Sequence, residues 1–120
     1  MGLFAKRADS PAQSVQFLHD QDGPMERTIK QGMNEFFRDV VQVEEAYFAR
    51  VLYGGNVQDV ALCVYGSPEM DAQLLLKGVQ QVYNRAVNTE QPLHTIVLTP
   101  EQHVDIAKVC NSFYRSVALK

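Results

Sequence analysis

From Pro24 onward, Met25, Ile29, Met33, Phe36, Phe37 and Val40 return at intervals of three and four, the spacing of one apolar stripe on a helix. Pro24 suits the first turn of that helix, where a missing N–H costs nothing. Near residue 46 the period changes to two. Tyr47, Ala49, Val51 and Tyr53 then fall on one face of a predicted strand, and Ala46, Phe48, Arg50 and Leu52 on the other. Gly54-Gly55-Asn56 tolerates the positive φ of a hairpin turn. The run VALCVY (60–65) is apolar throughout and reads as a central strand covered on both faces.

The stretch GSPEMDAQLLLKGVQQVYNRAVN predicts a second helix, capped by Ser67 with Pro68 at its first position, and burying Ala72, Leu75, Val79, Val82, Tyr83 and Ala86. LHTIVL (93–98) reads as another strand. TPEQ opens a last helix with Thr99 as cap and Gln102 closing a capping box. Its stripe continues through Ile106, Ala107, Cys110, Phe113, Tyr114 and Val117. SVQFLHD (14–20) adds a short edge strand, and DQDGP breaks the chain after it.

The element order is therefore (β)αββαβα. It predicts an α/β (α+β) domain, a small mixed sheet of three to four strands packed with three helices. Strands 46–53 and 60–65 should be antiparallel, and strands 60–65 and 93–98 should form a right-handed parallel crossover. Residues 1–13 are small and polar and contain Pro11; they read as a flexible arm ahead of a single domain over 14–120.

Composition narrows the classes of function. A 46% hydrophobic and 21% charged chain of 120 residues can bury a core without staples. The net charge of −3, with no run of like charge longer than two residues, leaves no basic stripe, so no nucleic-acid partner is expected. No stretch approaches a membrane span, and MGLFAKRADS carries no secretory pattern; the expected setting is cytoplasmic, with no membrane partner. Cys63 and Cys110 lie inside apolar patterns and read as buried thiols rather than a disulfide framework.

PEQHVDIAKVC (100–110) gathers a histidine, an aspartate and a cysteine, the residue types of a thiol hydrolase. On a helix, His103 and Cys110 share a face but stand about 10 Å apart along the axis, and Asp105 projects away from His103. A base must come within about 3 Å of its nucleophile, so the local triad fails on geometry. His19, His94 and His103 are scattered, and no metal or cofactor is implied. YGGN and YGSP lack phosphate-loop spacing. Ser67 and Thr99 would put two helix N-termini at one end of the sheet, a candidate anion site, although capping alone explains both residues.

The segments FFRDVVQVEEAYFARVLYGG, VQDVALCVYG and VCNSFYRS, with Val43, Ala46, Tyr47, Phe113, Tyr114 and Arg115 as their defining residues, resemble the C-terminal domain of the bacterial enhanced serine sensitivity (SseB) family over roughly residues 14–117. Asn111-Ser112 departs from the family's proline before Phe-Tyr, and the family's usual N-terminal domain is not among these 120 residues. The resemblance implies a fold and a bacterial cytoplasmic setting, with a possible link to serine sensitivity, but carries no catalytic residues.

The function expected is a non-catalytic interaction or regulatory module. Its candidate contacts are Tyr47, Phe48, Phe113, Tyr114 and Arg115, with strand 46–53 as a candidate sheet edge for a protein partner or a second copy. The alternatives are a domain binding a small anionic ligand at Ser67 and Thr99, and an enzyme in which Cys110 or Cys63 meets a distant histidine such as His94.

Overall fold

The computed structural model describes residues 15–40, 42–54 and 57–116; the arm read over residues 1–13 lies outside them. Strand β1 (Val15–Asp20) is followed by helix α1 (Pro24–Arg38), the hairpin strands β2 (Val43–Tyr53) and β3 (Val57–Gly66), helix α2 (Ala72–Val87), strand β4 (Thr95–Val97), helix α3 (Pro100–Ala107) and strand β5 (Tyr114–Arg115). The expected order stands, with β5 added at its end.

The sheet runs β1-β2-β3-β4. β2 pairs antiparallel with β3 along nearly its whole length, and β3 pairs parallel with β4. On its other side β2 pairs with β1 from Ala49 to Tyr53 and with β5 at Glu45 and Ala46. Strand 46–53 is thus central, not an edge, because the two short strands share its free side. Gly54 opens the hairpin turn at φ +58, the left-handed conformation glycine adopts at little cost.

Alternation on β2 and β3 divides the core in two, as period-two strands must. Ala46, Phe48, Leu62 and Val64 face α1 and α2, packing on Ile29, Met33, Phe37, Leu75, Val79 and Val82. Tyr47, Ala49, Val51, Ala61 and Cys63 face the other way and meet Phe17, Leu98, Ile106 and Cys110. A Cβ at Gly78 would stand 2.3 Å from Phe36 Cζ, so the bare backbone of α2 admits the Phe36 ring of α1.

Two helix ends differ from expectation. α2 starts at Ala72 and is capped by Asp71, whose side chain accepts from the N–H groups of Gln73 and Leu74. Ser67 does not cap it. Its N–H donates to Gln42 O and its carbonyl accepts from Met70 N, so residues 67–70 form a turn, and its buried hydroxyl has no partner. Asp71→Ala should therefore cost about 1 kcal/mol, whereas Ser67→Ala should be neutral or slightly stabilising, because it deletes an unsatisfied polar atom. Urea denaturation of the two variants checks the pair, and the reverse ranking would restore Ser67 as the cap.

At the other end, α3 carries the full Thr99–Gln102 capping box but stops at Ala107. Cys110, Phe113 and Tyr114 lie beyond it. Cys110 stays with Ile106 on one face of the sheet, whereas Phe113 and Tyr114 pack on the opposite face. The chain crosses the sheet margin between them, which a continuous helix could not do. β5 then clips it to β2, with Phe113 N donating to Ala46 O and Ser116 N to Glu44 O.

Candidate functional site

Strand alternation puts Glu45 and Tyr47 on the same face of β2, two residues apart. Pairing sets Tyr65 of β3 opposite Glu45 on one side and Arg115 of β5 opposite it on the other. α3 brings His103 onto this group. Its ring stacks on Tyr65 with centroids 4.0 Å apart and meets Tyr47 edge-on at 5.8 Å.

Glu45 is the hub. Its Oε1 accepts from the Tyr47 hydroxyl at 2.8 Å and from His103 Nε2 at 2.6 Å, and its Oε2 accepts from Arg115 Nε at 2.7 Å. A carboxylate only accepts, so the imidazole carries a proton on Nε2. Burial alone would raise the Glu45 pKa; the hydrogen bonds from Tyr47, His103 and Arg115 and the charge of Arg115 outweigh it and hold the carboxyl below its ordinary value. Burial, with the hydrogen bond and charge of Glu45, pushes the Tyr47 phenol well above its ordinary range. The base and the hydroxyl are thus engaged with each other.

Asp105 does not join His103. It pairs with Lys108 at 3.8 Å on the surface. Cys110 does not meet a histidine either. Its thiol donates to Asp20 Oδ1 at 3.1 Å, and burial together with that bond and the Asp20 charge pushes its pKa up to about 12. Cys63 is fully buried, and burial raises its pKa further still. His94 bonds Tyr53 through Nε2 at 2.9 Å and Asp59 through Nδ1 at 3.2 Å, an exposed relay that includes neither thiol.

A shift from 9.0 to about 12 leaves roughly 10³-fold less thiolate at pH 8 than an ordinary cysteine has. Native protein should therefore react very slowly with a small disulfide reagent, Cys63 more slowly than Cys110, and both should react at once in denaturant. Labelling of either native thiol at the rate of a free cysteine would contradict this arrangement.

Two shallow cavities flank the segment from Asn111 to Arg115. One, of about 490 Å³, is lined by Tyr47, Ala107, Cys110, Asn111, Ser112, Phe113 and Arg115. The other, of about 300 Å³, is lined by Asn34, Arg38, Phe113, Tyr114 and Arg115. Phe113 and Arg115 border both, and His103 lines neither.

Of the residues read as contacts, Tyr47 and Phe48 are each only 3% exposed, so they serve the core rather than a surface. Phe113 and Tyr114 are half-buried and Arg115 is exposed. The Ser67 half of the helix-end anion site is lost, because Ser67 sits in a turn five residues before α2 begins. At Thr99, the N–H is bonded to the Gln102 side chain and the hydroxyl accepts from Gln102 N. Arg38, Asn34 and Glu45 carry the site without having stood out in the sequence. The local signals for them are the Glu45-x-Tyr47 spacing on one strand face and the Asn34-x-x-x-Arg38 spacing on one helix face.

Among the described residues no helix is long and apolar enough to cross a membrane, and no group of three or more His, Cys, Asp or Glu is placed to hold a metal ion. Comparisons with protein-family models, with curated proteins and with solved structures returned no match.

Proposed function

We propose that the chain is a non-catalytic interaction module whose contact surface is the segment from Asn111 to Arg115. The observation that carries this reading is the pair of cavities on either side of that segment, joined by Phe113 and the exposed Arg115. The chemistry-bearing groups support it. Glu45, Tyr47 and His103 satisfy one another, and the thiols are buried and protonated. The resemblance to the enhanced serine sensitivity family adds the proposal of a bacterial, cytoplasmic, regulatory setting.

A photo-cross-linking residue at Ser112, expressed in the source cells, should yield a discrete adduct with a partner protein. Arg115→Glu should weaken that adduct about tenfold or more, as loss of an arginine anchor does. The same probe at Gln81, exposed on α2, should yield none. Equal adducts from both positions, or none from either, would remove the proposal.

A further inference from the structure

The smaller cavity joins groups that lie far apart in the chain. Asn34 and Arg38 are four residues apart and so share a face of α1. Arg115 arrives on β5, and Phe113 and Tyr114 supply an aromatic wall. The Tyr114 hydroxyl donates to Phe37 O at 3.1 Å, which fixes that wall against the end of α1.

Three features of this cavity are unspent. Arg38 is exposed, and among the described residues it forms no ion pair or hydrogen bond. Arg115 is held to Glu45 only through Nε, and its side chain remains 68% exposed. The Asn34 side-chain oxygen is buried without a hydrogen-bond partner. If the amide is turned over, its NH₂ takes that place, so either orientation leaves it one bond short.

We propose that this cavity captures the terminal carboxylate of a partner polypeptide; the inference rests on the interaction reading above and names what that surface recognises. A guanidinium group matches the planar geometry of a carboxylate, and two arginines, Arg38 and Arg115, line this cavity. Glu45 already offsets part of the Arg115 charge, which leaves about one positive charge for the ligand. That balance suits a singly charged carboxylate better than a phosphate dianion. A cavity of about 300 Å³ is at the small end of ligand sites and holds about one residue. The last side chain then lies against Phe113 and Tyr114, with Asn34 lining the same cavity.

The test uses the full ¹⁵N-labelled chain titrated with the tripeptide Ala-Ala-Phe, its C-terminal amide, acetate and inorganic phosphate. The free acid should shift the Asn34 side-chain amide and the Arg38 and Arg115 Nε–H signals saturably. The amide and acetate should bind about tenfold more weakly or worse, and phosphate should not displace the acid. Arg38→Gln should weaken the acid about tenfold with an unchanged melting temperature, and Arg38→Lys should fail to restore it, since lysine lacks the fork. Equal binding of acid and amide, acetate as good as the tripeptide, tighter phosphate binding, or silence at these three groups would each overturn the proposal. Cross-links from Ser112 without a preference for the acid would keep the interaction module and remove the carboxylate site. Saturable acid binding without cross-links would remove the interaction reading and, with it, the polypeptide as ligand.

Discussion

Phe37→Ala should destabilise the fold by about 3–5 kcal/mol, the usual cost of emptying a large aromatic site in a core. Phe37 has no exposed surface and is the largest fully buried side chain among the described residues. Its ring contacts Phe36 at a centroid distance of 5.5 Å, Tyr114 at 5.4 Å and Phe113 at 6.4 Å. Removing it takes away the floor on which the segment after α3 rests. Against a total stability of about 5–15 kcal/mol, a loss of this size brings the variant close to unfolding at ordinary temperature. Phe37→Leu keeps much of the volume and should cost far less. Urea denaturation reads the global effect. Hydrogen exchange reads the local one: the amides of Phe113 and Ser116, bonded to Ala46 O and Glu44 O, should lose protection before those in the middle of β3. A Phe37→Ala cost under about 1.5 kcal/mol, or uniform loss of protection, would mean that the clip does not depend on this ring.

The same ring shows which parts of the structure local patterning could and could not reveal. The middle of the α1 stripe, the alternation of β2 and β3 and the Thr99 capping box rest on neighbours within a few residues and form as the periods predict, with Ile29, Met33 and Phe37 buried; Met25, at the start of the stripe, is 61% exposed, and Val40 lies beyond the helix end. The end of α3 was illegible for a physical reason. Phe113 and Tyr114 continue the three-four spacing of Ile106 and Cys110, yet they bury on the other face of the sheet against Phe37, 76 and 77 positions away in the chain. Neither glycine nor proline marks the stop, and the last turn closes through Cys110 N to Ile106 O. Ser67-Pro68 and Asp71 both suit a helix start, so local sequence does not place the α2 cap; the backbone bond from Ser67 to Gln42 decides between them, and it joins different elements. The site is harder still to read. His103 meets a carboxylate 58 positions away, and Arg38 shares a cavity with Arg115 only once β5 has paired with β2.

Glu45→Gln should lower stability at neutral pH by about 1–3 kcal/mol and flatten part of the acid limb of the stability profile. Gln keeps the volume but has a single acceptor oxygen where the carboxylate has two, and its NH₂ must face at least one of the three groups that now donate to Glu45. The pH dependence follows from the direction of the shift. The folded carboxyl titrates below its ordinary value of 4.5, so Glu45's contribution is complete above the unfolded value and is lost as pH falls through the folded one. The gap between wild type and Glu45→Gln should therefore close progressively as pH falls below about 5. Chemical denaturation at half-unit intervals measures it. The imidazole gives a second readout: in the wild type the Nε2 proton of His103 should be slow to exchange and visible in the ¹⁵N spectrum, and in Glu45→Gln it should broaden. A gap that stays open at pH 3, with the Nε2 proton unchanged, would mean that the Glu45 carboxylate is not what fastens α3 and β5 to the sheet.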